Sequence, residues 1–544
     1  MRTERGVRQE SWTTILAAVL LVTTCGCGGG RQAGGDAGVP DGGTAGTYPP
    51  ITVLAMIHGD PLPPLASGLT LNLYEKCRAG MLWYTGLAAE TGLRLSMQST
   101  GVYAEAILSQ GHTADYAAFG PDDTHHLAQH IHTCTRGTAT LDWTCGQDTT
   151  DPALVLQMFN DQVPFVNQLL AALGHTAADN WFLHATQAAY QGMDGPIFRN
   201  DGTAATAYPN VFTTYSGDRG VPTAYRGPAM DRAAGVASVD GDFVLIGEVG
   251  GIIGRDEGHG AEGTVYGTVP YQRRDFLRVL LEWRENVRHH PEAPPLMFTF
   301  MVHPVELTED GVGVGTDGRL VRESIAELVT WLNAEHVGRT DSAGRTVARY
   351  GVAPEVRQAY LDWEAAHPEE LQAHAAAINA RTHFRRLPGI HAALEATYHE
   401  EALSLGVAGV VAHRFVAAGS GTSYVLLYSD TGAAEVSAGG YLPEERDVMA
   451  GDGTVTSAGG ATIAVGETPV LVGPRGGFPT GGATDGGVPD GGGGGSCASG
   501  CNTDWVCCPA GYGCAGQCVP DCRVGTVPCP TQAPTCDTTI GVCS

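Results

Sequence analysis

The sequence predicts an α/β protein: a β/α barrel followed by a small antiparallel β-sandwich and a disulfide-rich C-terminal module. Three observations support this prediction. Apolar segments of strand length alternate with amphipathic helical segments through residues 51–335. Short alternating segments divided by Gly, Ser and Asp turns fill residues 405–473. Ten of the 15 cysteines crowd into residues 497–543.

The N-terminal segment has the composition of an export signal. Arginines precede an apolar run, Trp12 to Val22, which is too short to cross a bilayer comfortably and is followed by small residues. Cys25 or Cys27 is expected to carry the lipid of a bacterial lipoprotein, with simple cleavage as the alternative. We therefore expect an exported protein in the cell envelope or on the outer surface, held at the membrane through this lipid anchor only.

The barrel is predicted from the periodicity of its segments. Residues 51–57 form an apolar, β-branched run typical of a strand buried on both faces. No Gly-rich phosphate loop follows this strand, which favours a closed or nearly closed barrel over a doubly wound sheet. Further strands are predicted at 93–99, 127–133, 243–249 and 296–303, and helices at 72–87, 103–109, 152–173, 273–288, 321–335 and 354–381.

Composition divides the rest of the chain. Two Gly-rich segments cannot bury apolar area and are predicted to be a tether and a linker. Ten cysteines with few apolar neighbours require about five disulfides, and zinc is the less favoured alternative because histidine is absent there. The predicted divisions are 1–27 signal peptide, 28–48 tether, 49–390 barrel with helical extension, 391–475 β-sandwich, 476–496 linker and 497–544 cysteine-rich module.

The charge balance narrows the possible partners. The formal net charge is −27 and Lys76 is the only lysine. Such a surface repels phosphate backbones, so nucleic acid is not an expected partner.

Histidines follow two of the predicted strands. In LAQHIHTC, residues 127–134, His130 and His132 fall two apart and share one face of a strand. His58 and Asp60 likewise follow the first strand two residues apart. The C-terminal ends of the strands meet at one mouth of a β/α barrel, and the active sites of such folds lie there.

These residue types indicate a divalent metal site. Asp60, His130 and His132 form an Asp-His-His set with His58 beside it, and zinc is the expected metal. A bound divalent ion lowers the pKa of its water toward neutrality and polarises a carbonyl. The pattern therefore predicts hydrolysis of an amide or an ester.

At these residues the sequence resembles the polysaccharide deacetylases of the NodB-homology type. HHLAQHIHTC, residues 125–134, stands where that family has its Gly-His turn and histidine pair, with His130 at the first histidine ligand and Cys134 at the second. The resemblance implies that His303, in FMVHP, supplies the catalytic acid and that Arg199, in PIFRNDG, orients the base. It also implies a polysaccharide or other glycan as the substrate.

The sequence departs from the family at two positions. His58-Gly59-Asp60 replaces the family's acidic pair, so the base is either His58 or absent. Cys134 is either a thiolate ligand or the partner of Cys145 in a disulfide, and in the second case the ligand role falls to His132.

The sequence is also compatible with two other functions. Glu248 follows a buried strand, and a glycoside hydrolase would need a second carboxylate such as Asp60 or Glu306 across the scissile bond. The chain could also be a catalytically inactive surface protein that binds carbohydrate, because its first motif is altered. Bound metal discriminates the deacetylase from both alternatives.

Overall fold

We describe a computed structural model of the chain. Its described residues are 48–59, 70–121, 124–131, 134–145, 152–175, 183–185, 211–213, 221–227, 237–240, 243–247, 249–254, 267–310, 313–380, 382–437, 445–478, 505–507, 518–520, 536–537 and 542–543. The predicted signal peptide lies outside these residues, as do nearly all of the predicted tether and linker. No helix of the described part is long and apolar enough to cross a membrane.

The described residues form strands throughout the chain. Those of the first half are β1 Ile51–Gly59, β2 Leu95–Ser99, β3 His126–Ile131, β4 Cys134–Arg136, β5 Trp143–Cys145, β6 Leu183–Ala185, β7 Val211–Thr213, β8 Ala224–Gly227 and β9 Phe243–Ile246. Those of the second half are β10 Met297–Val302, β11 Ala348–Tyr350, β12 Thr397–Ala402, β13 Val410–Ala417, β14 Ser423–Ser429, β15 Ala434–Ser437, β16 Glu445–Met449, β17 Val455–Gly459, β18 Thr462–Val465 and β19 Val470–Pro474. Four short strands end the chain: β20 Trp505–Cys507, β21 Cys518–Pro520, β22 Cys536–Asp537 and β23 Val542–Cys543.

Helices lie between strands of the first sheet or follow its last strand, β11. They are α1 Leu71–Thr91, α2 Gly101–Ser109, α3 Pro152–Ala172, α4 Val269–His289, α5 Val321–Glu335, α6 Ala353–Ala366, α7 Leu371–Asn379 and α8 Pro388–Glu395. Thr70 and Thr100 cap α1 and α2, because each side chain accepts a hydrogen bond from the backbone N–H three residues on. Gly92, at a φ of 74°, ends α1 in the left-handed conformation that glycine adopts readily.

The first sheet is mixed and mostly parallel. Its nine strands follow the order β10-β1-β2-β3-β6-β7-β9-β8, with β11 also paired to β1. All pairings are parallel except that of β8 with β9. This confirms an α/β protein whose strands point their C-terminal ends to one edge.

A closed barrel is not found among the described strands. No ladder joins β8 or β9 to β10, although segments flanking β8 and β9 contact β10 through backbone hydrogen bonds. Met297 N–H donates to Pro222 O at 2.7 Å, and Gly250 N–H donates to Thr299 O at 2.7 Å. Met301 N–H also donates to Gly251 O at 3.0 Å, and Ile253 N–H donates to Met301 O at 2.9 Å. The segment after β9 therefore runs beside β10 and forms one parallel bridge with it, but no ladder.

The first sheet has two apolar faces. One carries the side chains of Leu54 and Met56 in a small inner cluster, which helix α6 completes with Val356 and Tyr360. The other face belongs to the larger cluster that includes α1, α2 and α4. Side chains of a strand alternate between faces, so the residues two apart from Met56 also face inward.

Antiparallel sheets follow in the second half of the chain. Six strands pair in the order β12-β13-β14-β19-β16-β17, and β15 pairs with β18. Val425 and Leu427 of β14 share one apolar cluster with Val436 of β15 and Ile463 of β18. Antiparallel pairing is therefore confirmed for this part of the chain, and the two sheets bury a common core.

The parallel and antiparallel parts meet at helix α4. Arg274 donates through Nη1 to the carbonyls of Glu395 and Thr397, at 2.7 and 2.9 Å. Arg284 lies over the ring of Tyr428 at 3.8 Å and is ion-paired with Asp430. These contacts attach the antiparallel sheets to the helix that flanks the first sheet.

Three histidines are buried at this junction. His336 follows α5, while His399 and His413 lie on β12 and β13. His399 Nε2 lies 3.2 Å from His413 Nδ1, and the ring of Trp331 contacts those of His336 and His399. Burial lowers the pKa of His336 and of His399 to about 3 and that of His413 to about 4. We call these three residues the junction histidines.

Four cysteines of the C-terminal module lie in described strands. Cys507 pairs in register with Cys518, and Cys536 with Cys543. The disulfides that the sequence predicts for this module, about five, stay a prediction.

Candidate functional site

Three histidines converge at the C-terminal edge of the parallel sheet. His58 lies near the end of β1, His130 near the end of β3, and His303 directly after β10. Each stands two residues after a member of the inner apolar cluster, namely Met56, Ala128 and Met301. Strand alternation therefore directs all three side chains toward the inner face.

The rings contact one another closely. The ring centroids of His58 and His130 are 4.9 Å apart, with a nearly parallel interplanar angle of 23°. The ring of His303 meets that of His58 edge-on, at 5.5 Å. The exposed fractions are 0% for His58 and His130 and 1% for His303, so these histidines are buried and do not stand on an open rim. We call this group the histidine cluster.

His303 also contacts a buried carboxylate. It precedes a short 3₁₀ helix, Pro304–Leu307, in which Glu306 occupies the third position. Glu306 Oε2 accepts the backbone N–H of His303 at 2.7 Å and lies 3.1 Å from His303 Nδ1. Glu306 is 1% exposed. Sequence reasoning named Glu306 only as a possible glycosidase carboxylate; the His-Pro-x-Glu spacing of a helix cap was the signal for this contact.

Gly59 sets the course of the chain just after His58. A Cβ on Gly59 would lie 2.9 Å from Met97 Cε and 3.1 Å from Gln98 O, so the close approach of β1 to β2 leaves no room for a side chain. The Gly59 carbonyl accepts two hydrogen bonds from Thr100, from the backbone N–H at 2.9 Å and from Oγ1 at 2.8 Å. The backbone leading to Asp60 is therefore fixed up to residue 59.

A disulfide closes the segment that follows β3. Cys134 and Cys145 pair in register across β4 and β5 and are joined covalently. This settles the alternative left open by the sequence: Cys134 is a disulfide partner, so it cannot be a thiolate ligand. The ligand role that the family gives to this position stays with His132 as a prediction.

Glu105 holds this disulfide hairpin against helix α2. Its carboxylate, in a residue only 3% exposed, accepts from Arg136 Nη2 at 2.7 Å and from Trp143 Nε1 at 2.6 Å. It also accepts the backbone N–H of Leu141 at 3.1 Å. Sequence reasoning missed Glu105, because nothing near it in the sequence indicates a buried ion pair.

The remaining predicted site residues lie outside the described part of the chain. They are Asp60, His132, Arg199 and Glu248. Across the residues that are described, no group of three or more His, Cys, Asp or Glu side chains has the arrangement of a metal site. The structure thus brings together His58, His130 and His303, and the predicted ligand set of Asp60, His130 and His132 stays a prediction.

The disulfide makes a measurable contribution to stability. We expect the double variant Cys134→Ser, Cys145→Ser to lose about 3 kcal/mol of unfolding free energy, because the cross-link restricts the unfolded chain. Urea unfolding followed by tryptophan fluorescence measures this loss. The substitutions do not touch the disulfides predicted for the C-terminal module, whereas a thiol reductant would act on those as well. An unchanged unfolding free energy would show that the bond is not formed in solution.

Comparison with known proteins gives only distant likenesses. No family model and no curated protein sequence matches the chain. A solved Mycobacterium smegmatis protein assigned to the polysaccharide deacetylases has 9% identity and a TM-score of 0.31, over 60% of this chain and 95% of that chain. The 4-alpha-glucanotransferase of Thermococcus litoralis has 8% identity and a TM-score of 0.32, over 70% and 67% of the two chains. The trehalulose synthase of Pseudomonas mesoacidophila has 9% identity and a TM-score of 0.19, over 78% and 98%.

The names of these three proteins denote enzymes that act on carbohydrates. At such identities and TM-scores the likeness assigns neither a family nor an activity to this chain.

Proposed function

We propose that this chain is a metal-dependent hydrolase that removes acyl groups from a glycan outside the cell or in the cell envelope. The observation that carries the proposal is the convergence of His58, His130 and His303 at the C-terminal edge of a parallel sheet. Burying a polar ring costs free energy unless hydrogen bonds compensate for it. The position of the three histidines on the inner face matches the place where α/β enzymes hold their reacting groups.

The donor types near the cluster fit a divalent metal. His130 offers a ring nitrogen at the end of β3, and Asp60 and His132 would supply the other ligands from the two adjoining segments. Imidazole nitrogens with one carboxylate oxygen form a set that zinc accepts, with positions left for water and substrate. The metal would supply a water of lowered pKa and would polarise the acyl carbonyl.

The other two histidines would handle protons. His58 lies beside His130 and takes the place that an acidic base has in the deacetylases, so it would accept a proton from the attacking water. His303 would give a proton to the leaving group on the opposite side of the carbonyl. Arg199, outside the described residues, would orient the base.

The cell-envelope location is part of the same proposal. A disulfide joins Cys134 to Cys145 in the segments that follow β3, and such bonds persist in oxidising compartments. An exported chain anchored by a lipid at Cys25 or Cys27 would meet glycans directly. The cysteine-rich module would serve as a binding or spacer element.

Metal content and acyl release test the proposal together. We expect the purified protein to hold about one zinc, cobalt or nickel ion per chain at neutral pH, to release acetate from acetylated glycan oligomers, and to lose this activity on chelation. Restoring the metal should restore acetate release. Hydrolysis of glycosidic bonds that survives chelation and is lost in Glu248→Gln would instead identify a glycoside hydrolase. A chain that binds glycan, holds no metal and releases no product would be an inactive binding protein.

A further inference from the structure

We infer that Glu306 is a positioning residue that fixes the tautomer of His303 and stabilises its charged form. The catalytic part of this inference depends on the proposed function, whereas the state of the ring does not. The two residues lie three apart in the sequence and are both almost fully buried, at 1% exposed each.

One carboxylate oxygen makes both contacts. Glu306 Oε2 accepts the backbone N–H of His303 at 2.7 Å, and the same oxygen lies 3.1 Å from Nδ1 of the ring. When Glu306 is ionised, its Oε2 has no hydrogen to donate and can only accept in both contacts. Nδ1 must therefore carry the hydrogen of this contact, and Nε2 of neutral His303 is the acceptor nitrogen.

The local backbone makes this arrangement rigid. Pro304 stands at the first helical position, where its fixed φ favours the start of a helix. Glu306 at the third position then completes the cap over the His303 N–H. The carboxylate is thus held in place by the local fold of the turn.

The geometry decides which proton His303 can give away. With Nδ1–H held by Glu306, a second proton can join the ring only at Nε2. In acyl transfer this Nε2 proton would pass to the leaving oxygen or nitrogen as its bond to the acyl carbon breaks, and His303 would return to the neutral Nδ1–H form. The negative charge of Glu306 favours the doubly protonated ring that this step requires.

The state of the ring can be observed directly. In the full chain labelled with ¹⁵N-histidine, the His303 signals are identified by their absence in His303→Asn. We expect the neutral ring of the parent protein to be protonated at Nδ1. A ring protonated at Nε2 would overturn the inference.

A charge-only substitution tests the role of the carboxylate. Glu306→Gln keeps the size and one acceptor oxygen, so the fold should be retained. The matched control is Glu309→Gln, because Glu309 lies on the same segment with a side chain that is 73% exposed and paired with Arg322. We expect His303 to lose its proton at a lower pH in Glu306→Gln than in the parent or in the control.

The catalytic activity should change together with the protonation of the His303 ring. We expect kcat in Glu306→Gln to fall about 10- to 100-fold with KM little changed. A loss of this size is typical when a residue that orients a metal-ligating side chain is replaced. The alkaline limb of the pH–rate profile should move to lower pH together with the His303 titration. A purely structural role for Glu306 would leave this limb in place.

The results separate the two proposals. Suppose that His303 is protonated at Nδ1 and titrates as expected, but the parent protein releases no acyl group from any glycan. The proposed function would then be refuted, and the pairing of Glu306 with His303 would be retained. If Glu306→Gln releases acyl groups with an unchanged kcat or an unchanged pH–rate profile, Glu306 is not a positioning residue. The proposed function would not be affected by that result.

Discussion

Replacing His130 with asparagine is expected to remove bound metal and acyl release together, whereas replacing His303 with asparagine should leave the metal in place. The difference follows from the two roles: His130 would be a metal ligand, and His303 would be a proton donor. For His303→Asn we expect kcat to fall roughly 10²- to 10⁴-fold, the usual contribution of general acid catalysis. Elemental analysis and acetate release on the same samples measure both effects.

Stability must be followed in these variants, because both histidines are buried. A rim histidine could be replaced at little cost, but a fully enclosed one packs against neighbours on every side. The surface substitution His290→Asn is a suitable control, since that side chain is 35% exposed. Retention of metal by His130→Asn, or full activity of His303→Asn, would contradict the assigned roles.

Acid is expected to unfold the protein through the junction histidines. Their pKa values in the folded state are about 3, 3 and 4, against about 6.5 in an unfolded chain. The unfolded state therefore binds more protons below pH 6.5, and folding stability falls as the pH drops from there toward 4. At pH 5 each histidine should cost about 2 kcal/mol, a large share of the 5–15 kcal/mol that typically stabilises a domain.

A single substitution isolates this effect. His336 packs against the rings of Phe276 and Trp331, with centroids 4.6 and 4.7 Å away, so phenylalanine suits its surroundings. In His336→Phe we expect the loss of unfolding free energy between pH 7.5 and pH 5 to shrink by about 2 kcal/mol. Any cost of the larger ring is present at both pH values and cancels.

Urea unfolding at the two pH values measures the difference. His290→Phe adds the same ring on the surface without removing a buried imidazole, and it serves as the control. An equal pH dependence in His336→Phe and the parent protein would show that other groups cause the acid lability.

Periodicity predicted the long helices and five of the nine strands described in the first sheet, but not β6, β7, β8 or β11. The expected strand at 51–57 is observed as Ile51–Gly59, and the expected helix at 321–335 is observed as Val321–Glu335. Such segments can be recognised in a sequence because their apolar residues repeat at the period of a helix or of a strand. Whether the barrel closes could not be read from the sequence, since closure depends on pairing between segments far apart in the chain.

The candidate site was predictable in part. The histidines were recognised because they stand at strand ends, two residues beyond buried apolar positions. The disulfide between Cys134 and Cys145 was one of two open alternatives, and the short spacing suits the hairpin that is observed. The contact of Glu306 with His303 was missed, because it depends on the angle at which a helical turn leaves the strand.

The sequence by itself determined that the chain is an α/β protein, where its longer elements lie and which residue types stand at the sheet edge, because these follow from local periodicity and composition. Tertiary structure alone decided that His58, His130 and His303 meet in one buried group, that Glu306 and Glu105 act inside the fold, and that three further histidines lie at the junction with the antiparallel sheets. The physical reason is that burial and contact between distant segments depend on how whole layers pack, and no local pattern encodes that packing.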